Sequence, residues 1–416
     1  MADGFSGRLS FGRITMVGFG LLASSIAAAI KQAKLPTKIR AVSSPSTLKR
    51  ARELELADEF FEYDETEKWA KDSDLILLCA PIIHILKMID ALGRVSWAGS
   101  CDRPIVVSDI GSTKVEICKA GSHLPSPFRF VGSHPMAGSE KRTCEYNDPA
   151  IFENAYWFVC PPEGTEESVY APLLEMIRFL GANPVVFPPE HHDRTMAWVS
   201  HMPQMLSSTL AGNLPERLLK HNYQHFAGRA FRDMTRIAAS GWGMWHDIAV
   251  TNRDETTRAL CEVRDGLDRT IAAMNGLNVV KDGKPASGNF ENDEQSVVAD
   301  NSQALADIFK AGNDGRASLF APGRNNTNSF YEITVQLKDK PGALLSVMQP
   351  LAEEGVNIRD IELMKVRENV AGTLLLAFKT EEEAAKAVRT LRYLDYEVKE
   401  RREFVINSLR NRRCSS

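Results

Sequence analysis

A glycine-rich turn near the N-terminus constrains the fold of this chain more than any other feature. It has the spacing G-x-G-x-x-A, in Gly18-Phe19-Gly20-Leu21-Leu22-Ala23, and lies between an apolar strand at residues 14–17 and a helix at residues 24–33. The first glycine permits a tight turn, the second admits a pyrophosphate, and Ala23 lets helix and strand pack closely. Free N–H groups at the helix start would attract phosphate. The pattern predicts a dinucleotide-binding domain, and a merely structural turn is the alternative.

The second predicted strand, residues 38–42, ends where such domains carry the acid that holds the ribose hydroxyls. Ser43 and Ser44 stand there instead. Without a carboxylate, nothing at this position repels a 2′-phosphate. Lys49 and Arg50 follow one helix turn later and could attract that phosphate, although a solvated helix start explains them equally well. We therefore expect NADP to be accepted, and the cofactor is left open as NAD or NADP.

Further apolar runs follow at regular spacing and are separated by helical segments. Continuous apolar strands of this kind predict a parallel sheet with helices on both faces. Ligands bind such sheets beyond the carboxyl ends of the strands. Ala80-Pro81, the segment 109–114 and His134 all stand at such ends, so the sequence predicts a cleft along this edge. The predicted strands are residues 75–80, 105–108, 128–131, 157–160 and 184–187.

His134 lies in the segment 132–140, Gly-Ser-His-Pro-Met-Ala-Gly-Ser-Glu, which follows the strand at 128–131. We expect the histidine at the strand end, over the cleft rather than in the core. Imidazole is the side chain most easily tuned to move a proton near neutral pH. A lone loop histidine more often satisfies a backbone group. Its place on the same edge as Ala80-Pro81 and Asp109 favours a functional role.

From His191 onward the pattern becomes helical, and this region is predicted to supply a substrate pocket and a dimer interface. Arg236, between Thr235 and an apolar run, suits a buried clamp for a carboxylate. From spacing alone, an ion pair with Asp233 or Asp247 is the better interpretation. The predicted helices are residues 191–214, 231–238, 244–248, 251–274 and 291–311.

Residues 330–398 have the order βαββαβ, with strands predicted at residues 331–337, 372–378 and 396–398 among others. This order predicts a small ferredoxin-like sheet. No obvious catalytic group lies there, so a regulatory or interactive role is favoured. The fold class is therefore α/β, with a Rossmann-type domain, an all-α domain and a C-terminal βαββαβ domain. The predicted boundaries are 1–188 for the dinucleotide-binding domain, 189–321 for the helical substrate and dimerisation domain, 322–329 for a linker, 330–400 for the C-terminal domain and 401–416 for a tail.

Length and composition agree with this division. A chain of 416 residues is expected to form two or three domains. A net charge of −4 gives no reason to expect nucleic acid or an anionic membrane as a partner. Seven cysteines without C-x-x-C spacing predict reduced thiols in a cytoplasmic protein, with no disulfide framework and no metal site.

Together these motifs resemble the prephenate/arogenate dehydrogenase family of tyrosine biosynthesis, in the version with a C-terminal ACT domain. The resemblance covers nearly the whole chain and rests on residues 18–23, 109–114, 133–140 and 231–238, with Met244-Trp245. It implies oxidative decarboxylation of prephenate to 4-hydroxyphenylpyruvate, with hydride transfer to NAD(P), by a homodimer. Arogenate is the alternative substrate, because many prephenate-using members have histidine where this chain has Gln204.

The resemblance also implies roles for individual residues. His134 would be the catalytic base, and Ser112 of the D-x-x-S-x-K stretch would lie beside it and the nicotinamide. In the substrate set, Arg236 would bind a carboxylate, Trp245 would line the pocket and Glu140 would gate it. The remaining positions are, for substrate, His201 and Gln204, and for cofactor, Gly18, Phe19, Gly20, Leu21, Leu22, Ser43, Ser44, Ala80, Pro81 and Ser112.

The C-terminal loops at residues 339–344 and 355–358 resemble those of ACT domains. The implied effector is tyrosine, bound by Gly342, Ala343, Asn357 and Ile358. A dimerisation module without a ligand is the alternative. Two other functions stay open for the whole chain: another hydroxyacid or imine dehydrogenase, and a sensor that binds nicotinamide and amino acid without turnover. The combination of Ser112, His134 and Arg236 favours an enzyme over a sensor.

Overall fold

The structure is a computed structural model that describes residues 9–96, 104–138, 141–216, 220, 223–276, 280–281, 284–285, 294–319, 331–337, 341–364 and 372–400. The chain divides into two compact units, Met1–Leu305 and Ala306–Ser416. The boundary falls within one long helix, Glu294–Leu319. The linker predicted at residues 322–329 lies outside the described residues.

The first unit is built on one eight-stranded sheet. Its strands are β1 Arg13–Val17, β2 Lys38–Val42, β3 Glu59–Phe61, β4 Leu75–Leu78, β5 Ile105–Asp109, β6 Phe128–Pro135, β7 Tyr156–Cys160 and β8 Asn183–Val186. The spatial order is β3-β2-β1-β4-β5-β6-β7-β8. Strands β1 to β6 are parallel, as predicted, but β7 runs antiparallel to β6. A crossover helix would be needed to keep β7 parallel, and the described part of the β6–β7 connection contains only a short 3₁₀ turn, Cys144–Tyr146.

Helices cover both faces of the sheet, which explains the continuous apolar strands. In β1, Ile14 and Met16 enter one core and Val17 enters the other, because successive side chains point to opposite faces. Helix α1 packs into the first core with two apolar residues four positions apart, Ile26 and Ile30. The helices of this part are α1 Leu21–Gln32, α2 Pro45–Glu53, α3 Thr66–Ala70, α4 Ile82–Gly93, α5 Val115–Gly121 and α6 Glu167–Phe179.

The helical part of this unit begins with an almost continuous helix, as predicted. It consists of α7 Pro189–Met196, a π-helical turn Ala197–His201, and α8 Met202–Gly212. Such π turns are frequent at functional sites. The elements that follow are a 3₁₀ turn Tyr223–Phe226, a helix Arg229–Thr235, a 3₁₀ turn Arg236–Ala239, helices Trp242–Thr251 and Arg253–Asn275, and a two-stranded ribbon of Val280–Lys281 with Lys284–Pro285.

The second unit has the predicted βαββαβ order. Two helices, Ala343–Glu353 and Glu381–Tyr393, accompany an antiparallel sheet with its own apolar core. The last strand, Val398–Glu400, begins two residues later than predicted. The strand order in space is Ile358–Met364, Gly372–Phe378, Tyr331–Leu337 and Val398–Glu400. In neither unit is a described helix long and apolar enough to cross a membrane.

Candidate active site

The glycine-rich turn between β1 and α1 has the predicted backbone. Gly18 has φ +92°, and a Cβ atom on it would lie 2.7 Å from the carbonyl oxygen of Cys79. Only glycine is unstrained there, so the predicted tight turn is confirmed. The side chain of Phe19 is fully buried in the core, so only its backbone can face a ligand.

The second glycine of the turn lies against backbone from a distant segment. A Cβ atom on Gly20 would lie 2.9 Å from the carbonyl oxygen of Arg142. The same oxygen accepts the N–H of Leu21 at 2.9 Å. The helix begins at Leu21 rather than at the predicted residue 24, and the Leu21 N–H is not free for phosphate because the segment after β6 returns over the turn. Leu22 and Ala23 supply the other first-turn N–H groups, which have no intrahelical acceptor, so the turn still fits a dinucleotide.

Hydroxyl groups dominate the end of β2, where the ribose acid was absent from the sequence. Ser43 is buried with its Oγ 3.5 Å from the Tyr63 hydroxyl. Ser44 Oγ lies 3.2 Å from Ser46 Oγ and 3.1 Å from Thr47 Oγ1. These hydroxyls can donate to ribose oxygens or to a phosphate. Arg50 is paired with Glu53 at 2.8 Å and with Glu145 at 3.0 Å, so two carboxylates compete for it with any 2′-phosphate.

A buried ion pair joins the end of β5 to the end of β6. The Lys114 ammonium donates to the carboxylate of Asp109 and, at 2.7 Å, to the carbonyl oxygen of Ser133. The Asp109 carboxylate also accepts the N–H groups of Gly111 at 2.7 Å and Ser133 at 3.1 Å. Lys114 and Asp109 are both fully buried. The pair therefore fixes the loop that carries the half-buried Ser112 against the strand that carries His134.

His134 lies within β6 rather than after it, and only 9% of its surface is exposed. The predicted place at a strand end is confirmed, although the strand extends to Pro135 because β7 pairs with the last residues of β6 and places His134 opposite Phe158. The prediction that the side chain is not buried is wrong. Burial lowers the pKa of His134 well below its ordinary value, and the nearby His192 and Lys114 lower it further. The imidazole is therefore neutral near pH 7 and able to accept a proton.

Two residues that the sequence analysis missed stand behind His134. His134 Nδ1 lies 2.9 Å from His192 Nε2, and His192 Nδ1 lies 2.8 Å from Asp193 Oδ1. Both His192 and Asp193 are buried in α7. A usable signal was present, because His192-Asp193 opens the helical region directly after the last strand of the sheet.

A third histidine, His201, ends the π-helical turn and is also buried. Burial lowers its pKa to about 4. Its Nδ1 lies 3.0 Å from the amide nitrogen of Asn252, and its ring meets Trp245 edge to face at 6.0 Å. Trp245 Nε1 is buried and has no hydrogen-bond partner among the described residues. Such a donor is costly unless a ligand oxygen accepts from it.

The other predicted substrate residues are placed differently. Gln204 is buried, but its amide donates at 2.9 Å to the carbonyl oxygen of Ile237 and so holds the turn that begins at Arg236. Arg236 itself is exposed in the single chain rather than buried as predicted. The alternative ion pair is also wrong, because Asp233 pairs with Arg229 at 3.5 Å and Asp247 with His246 at 3.1 Å.

The remaining predicted positions fall into three groups. Ala80 is half-buried and Pro81 exposed at the start of α4, beyond the end of β4. Glu140 lies outside the described residues. In the second unit, Gly342 has φ +81° and precedes the first helix, which begins at Ala343. Asn357 is exposed immediately before the strand that begins at Ile358. The predicted effector residues therefore lie at the start of a helix and at the start of a strand.

The fold and the site together define a class of protein: an oxidoreductase with a nicotinamide-nucleotide domain and a helical domain. Sequence models of this class match most of the first unit. The nucleotide-binding domain of prephenate dehydrogenase matches residues 26–186, and the prephenate dehydrogenase dimerization domain matches residues 188–284. The chain belongs to the prephenate dehydrogenase family.

Individual relatives agree with this membership. Prephenate dehydrogenase of Bacillus subtilis is 27% identical over 377 residues, which are 90% of this chain and 94% of that protein. The crystal structure of Synechocystis arogenate dehydrogenase is 27% identical with a TM-score of 0.52, over 63% of this chain and 92% of that one. Prephenate dehydrogenase from A. aeolicus, in complex with hydroxyphenyl propionate and NAD+, shares the fold with a TM-score of 0.60 at 22% identity, over 75% and 99% of the two chains.

Proposed function

We propose that this chain oxidatively decarboxylates prephenate to 4-hydroxyphenylpyruvate, with NAD or NADP as hydride acceptor, in tyrosine biosynthesis. The observation that carries the proposal is the neutral, buried His134 at the carboxyl edge of a nucleotide-binding sheet. The match to B. subtilis prephenate dehydrogenase over 94% of that protein's length supports the substrate.

His134 is proposed to act as the base. It accepts the proton of the ring hydroxyl while hydride leaves the carbon that carries this hydroxyl. The ring carboxylate on the opposite carbon departs as CO2, the ring becomes aromatic, and His134 returns the proton to the phenolate oxygen. A bound nicotinamide supplies the hydride acceptor. A positioned base contributes about 10²- to 10⁴-fold to such a step.

Substrate binding is assigned to groups that can satisfy carboxylate and carbonyl oxygens. Arg236 offers a planar fork for one carboxylate. The unsatisfied Trp245 Nε1 offers a single buried donor. Since Asn252 donates to His201 Nδ1, the neutral His201 carries its hydrogen on Nε2 and offers a second donor. Ser112 is proposed to lie between His134 and the nicotinamide, because its loop is fixed to β6 by Lys114.

Arogenate is the second candidate substrate. The 27% identity to Synechocystis arogenate dehydrogenase favours it, as does Gln204. Arogenate differs from prephenate by an amino group in place of the side-chain keto group. The decarboxylation itself needs the same base, so the role of His134 is common to both candidates.

The test is a set of four assays in which prephenate or arogenate is mixed with NAD or NADP and reduced nicotinamide is followed by absorbance. Turnover with prephenate supports the proposal, and turnover with arogenate alone shifts it to the second candidate. A His134→Asn variant that binds cofactor normally is the control for adventitious reductase activity. Cofactor binding without turnover in any assay would favour a sensor or a different hydroxyacid dehydrogenase.

We also propose that the enzyme is a homodimer, and that its second unit is an ACT domain that mediates inhibition by tyrosine. The family match to a dimerization domain supports the first proposal. The βαββαβ order and the left-handed Gly342 before a helix N-terminus support the second. An Asn357→Ala variant should lose tyrosine inhibition, whereas Gln349→Ala, in the adjacent helix, should keep it. Equal inhibition of both variants would place the effector elsewhere.

A further inference from the structure

His192 stands between the proposed base and a buried carboxylate. It is completely buried, and its ring meets Phe158 edge to face at 5.3 Å. One ring nitrogen faces His134 at 2.9 Å and the other faces Asp193 at 2.8 Å. Because neither nitrogen is left over, His192 can influence the reaction only through His134.

The direction of the hydrogen bonds follows from Asp193. Its carboxylate accepts the backbone N–H groups of Lys114 at 2.7 Å and Val115 at 2.9 Å, at the start of α5. A carboxylate can only accept hydrogen bonds. His192 Nδ1 must then carry the hydrogen that it gives to Asp193.

The hydrogen on His134 is fixed in turn. Burial lowers the pKa of His192 below its ordinary value, although Asp193 opposes this change, so the ring is neutral with one hydrogen. That hydrogen is on Nδ1, so His192 Nε2 has a lone pair. The hydrogen bond to His134 therefore requires a hydrogen on His134 Nδ1, and His134 Nε2 is left unprotonated.

We propose that His192, held by Asp193, is a positioning residue that fixes His134 with its hydrogen on Nδ1 and its lone pair on Nε2. This inference rests on the proposed function only for the statement that Nε2 is the atom that accepts the substrate proton. When Nε2 is protonated, the imidazolium of His134 is stabilised by its Nδ1–H bond to His192, which Asp193 holds in place. The other charged or titratable groups around the pair are Lys114, Asp109 and His201.

The tautomer is tested without turnover, by ¹⁵N NMR of imidazole nitrogens in the full-length protein labelled at histidine. The His134 signals are assigned as those lost in His134→Asn. The expected result is a protonated, pyrrole-type Nδ1 and an unprotonated, pyridine-type Nε2 in the unliganded protein at pH 7.5. The opposite tautomer, or an even mixture, would overturn the proposal whatever the substrate proves to be.

Two variants of His192 test its effect on catalysis. His192→Gln keeps an amide oxygen that can accept from His134 Nδ1, whereas His192→Asn keeps a donor for Asp193 but is too short to reach His134. We expect His192→Asn to lose up to about 10⁴-fold in kcat, the loss seen when a catalytic histidine is held in the wrong tautomer. His192→Gln should lose less than about tenfold, and KM should change little in both.

Controls separate this role from stability. Both variants are first compared with the parent by thermal unfolding, and only variants that unfold at a similar temperature are assayed. Equal kcat in Gln and Asn variants would overturn the proposal. Absence of turnover in the parent protein, with the Nδ1–H tautomer present, would instead contradict only the proposed function.

Discussion

Three buried histidines of the site, His134, His192 and His201, have pKa values lowered chiefly by burial. A neutral imidazole needs no deprotonation before it accepts a proton. The three side chains are alike, and their hydrogen-bond partners give them different roles. His134 contacts His192, His192 contacts Asp193, and His201 contacts Asn252.

Replacing His134 by Asn should remove the base and leave binding intact. We expect kcat to fall by about 10²- to 10⁴-fold, with KM nearly unchanged, because Asn keeps a polar group of similar size. In the parent, the acid limb of kcat/KM should lie below pH 6.5, since the pKa of His134 is lowered. His123, an exposed histidine just after the end of α5, provides the control variant His123→Asn. A rise in KM with unchanged kcat would reverse the assignment.

Arg236→Lys should mainly raise KM. The guanidinium presents two parallel N–H donors to a carboxylate, whereas an ammonium is a point charge without that fork. The exposed Arg232 lies one helical turn earlier, so Arg232→Lys is the matched control and should be neutral. Steady-state kinetics with varied substrate distinguish the two parameters. Loss of kcat at constant KM would show that Arg236 acts in the chemical step instead.

Ser43→Asp should move cofactor preference toward NAD. The new carboxylate would accept hydrogen bonds from the ribose hydroxyls and repel a 2′-phosphate. We expect kcat/KM for NADP to fall by at least about tenfold relative to NAD, which corresponds to about 1.4 kcal/mol. Ser46→Asp places the same charge on the exposed first turn of α2 and is the control. An unchanged ratio would mean that Ser43 does not face the ribose.

Among the structural elements, the turn between β1 and α1 leaves no room for a larger residue at its glycines. Gly20→Ala would place a methyl group 2.9 Å from the Arg142 carbonyl oxygen, which is backbone and cannot rotate away. We expect lower stability, by about 1–3 kcal/mol, the usual cost of overpacking, and weaker cofactor binding. Gly266→Ala, in the helix Arg253–Asn275, meets only a flexible arginine tip at 3.7 Å.

The same measurements apply to both glycine variants, namely urea unfolding and cofactor titration. Gly266→Ala should gain up to about 1 kcal/mol, because alanine is the better helix former. If Gly20→Ala were as stable as the parent and bound cofactor equally well, the contact with Arg142 would not exist in solution.

The sequence predicted those elements whose signal is local. The bounds of β2, of Tyr331–Leu337 and of Gly372–Phe378 were predicted to the residue, because each is a short run with turn residues at its ends. The end of β6 was predicted too early, since its last residues are held by β7, about 25 positions away. Pairing over such distances leaves no local pattern.

The site follows the same rule. His134, Gly18 and the D-x-x-S-x-K stretch were found from short motifs. The contacts that determine the properties of these residues were not predicted, because they join residues far apart in the sequence. His192 is 58 positions from His134, and Arg142 is 121 positions from Leu21. Arg236 was expected in a buried pocket, and its exposure in the single chain depends on the fold of the whole helical region.

For the molecule as a whole, the buried histidines make stability depend on pH. In the unfolded chain a histidine binds a proton near pH 6.5, whereas the pKa of His201 is about 4 in the folded chain. The stability contributed by His201 is therefore complete above pH 6.5 and is lost as the pH falls toward 4. The slope for one such group is at most about 1.4 kcal/mol per pH unit.

Urea unfolding at pH 7.5 and pH 5 measures this loss. All six tryptophans precede residue 250 and so lie in the first unit, which makes their fluorescence a report on that unit alone. We expect a lower free energy of unfolding at pH 5, and a smaller difference in a His201→Asn variant. The variant His123→Asn, which removes an exposed histidine, should behave like the parent. Stability that is equal at both pH values would contradict burial of the histidines.

Strand β6 has two neighbours in succession: its first residues pair with β5 up to Val131, and its last residues pair with β7 from Gly132. The proposed base, His134, therefore lies on one continuous strand that pairs first with β5 and then with β7. A strand advances about 3.3 Å per residue and alternates its faces, so a slip by one position would carry the imidazole out of reach and turn it to the other side of the sheet. The position of the base is thus either correct or lost entirely, and the register in which β6 pairs with β5 and β7 determines which.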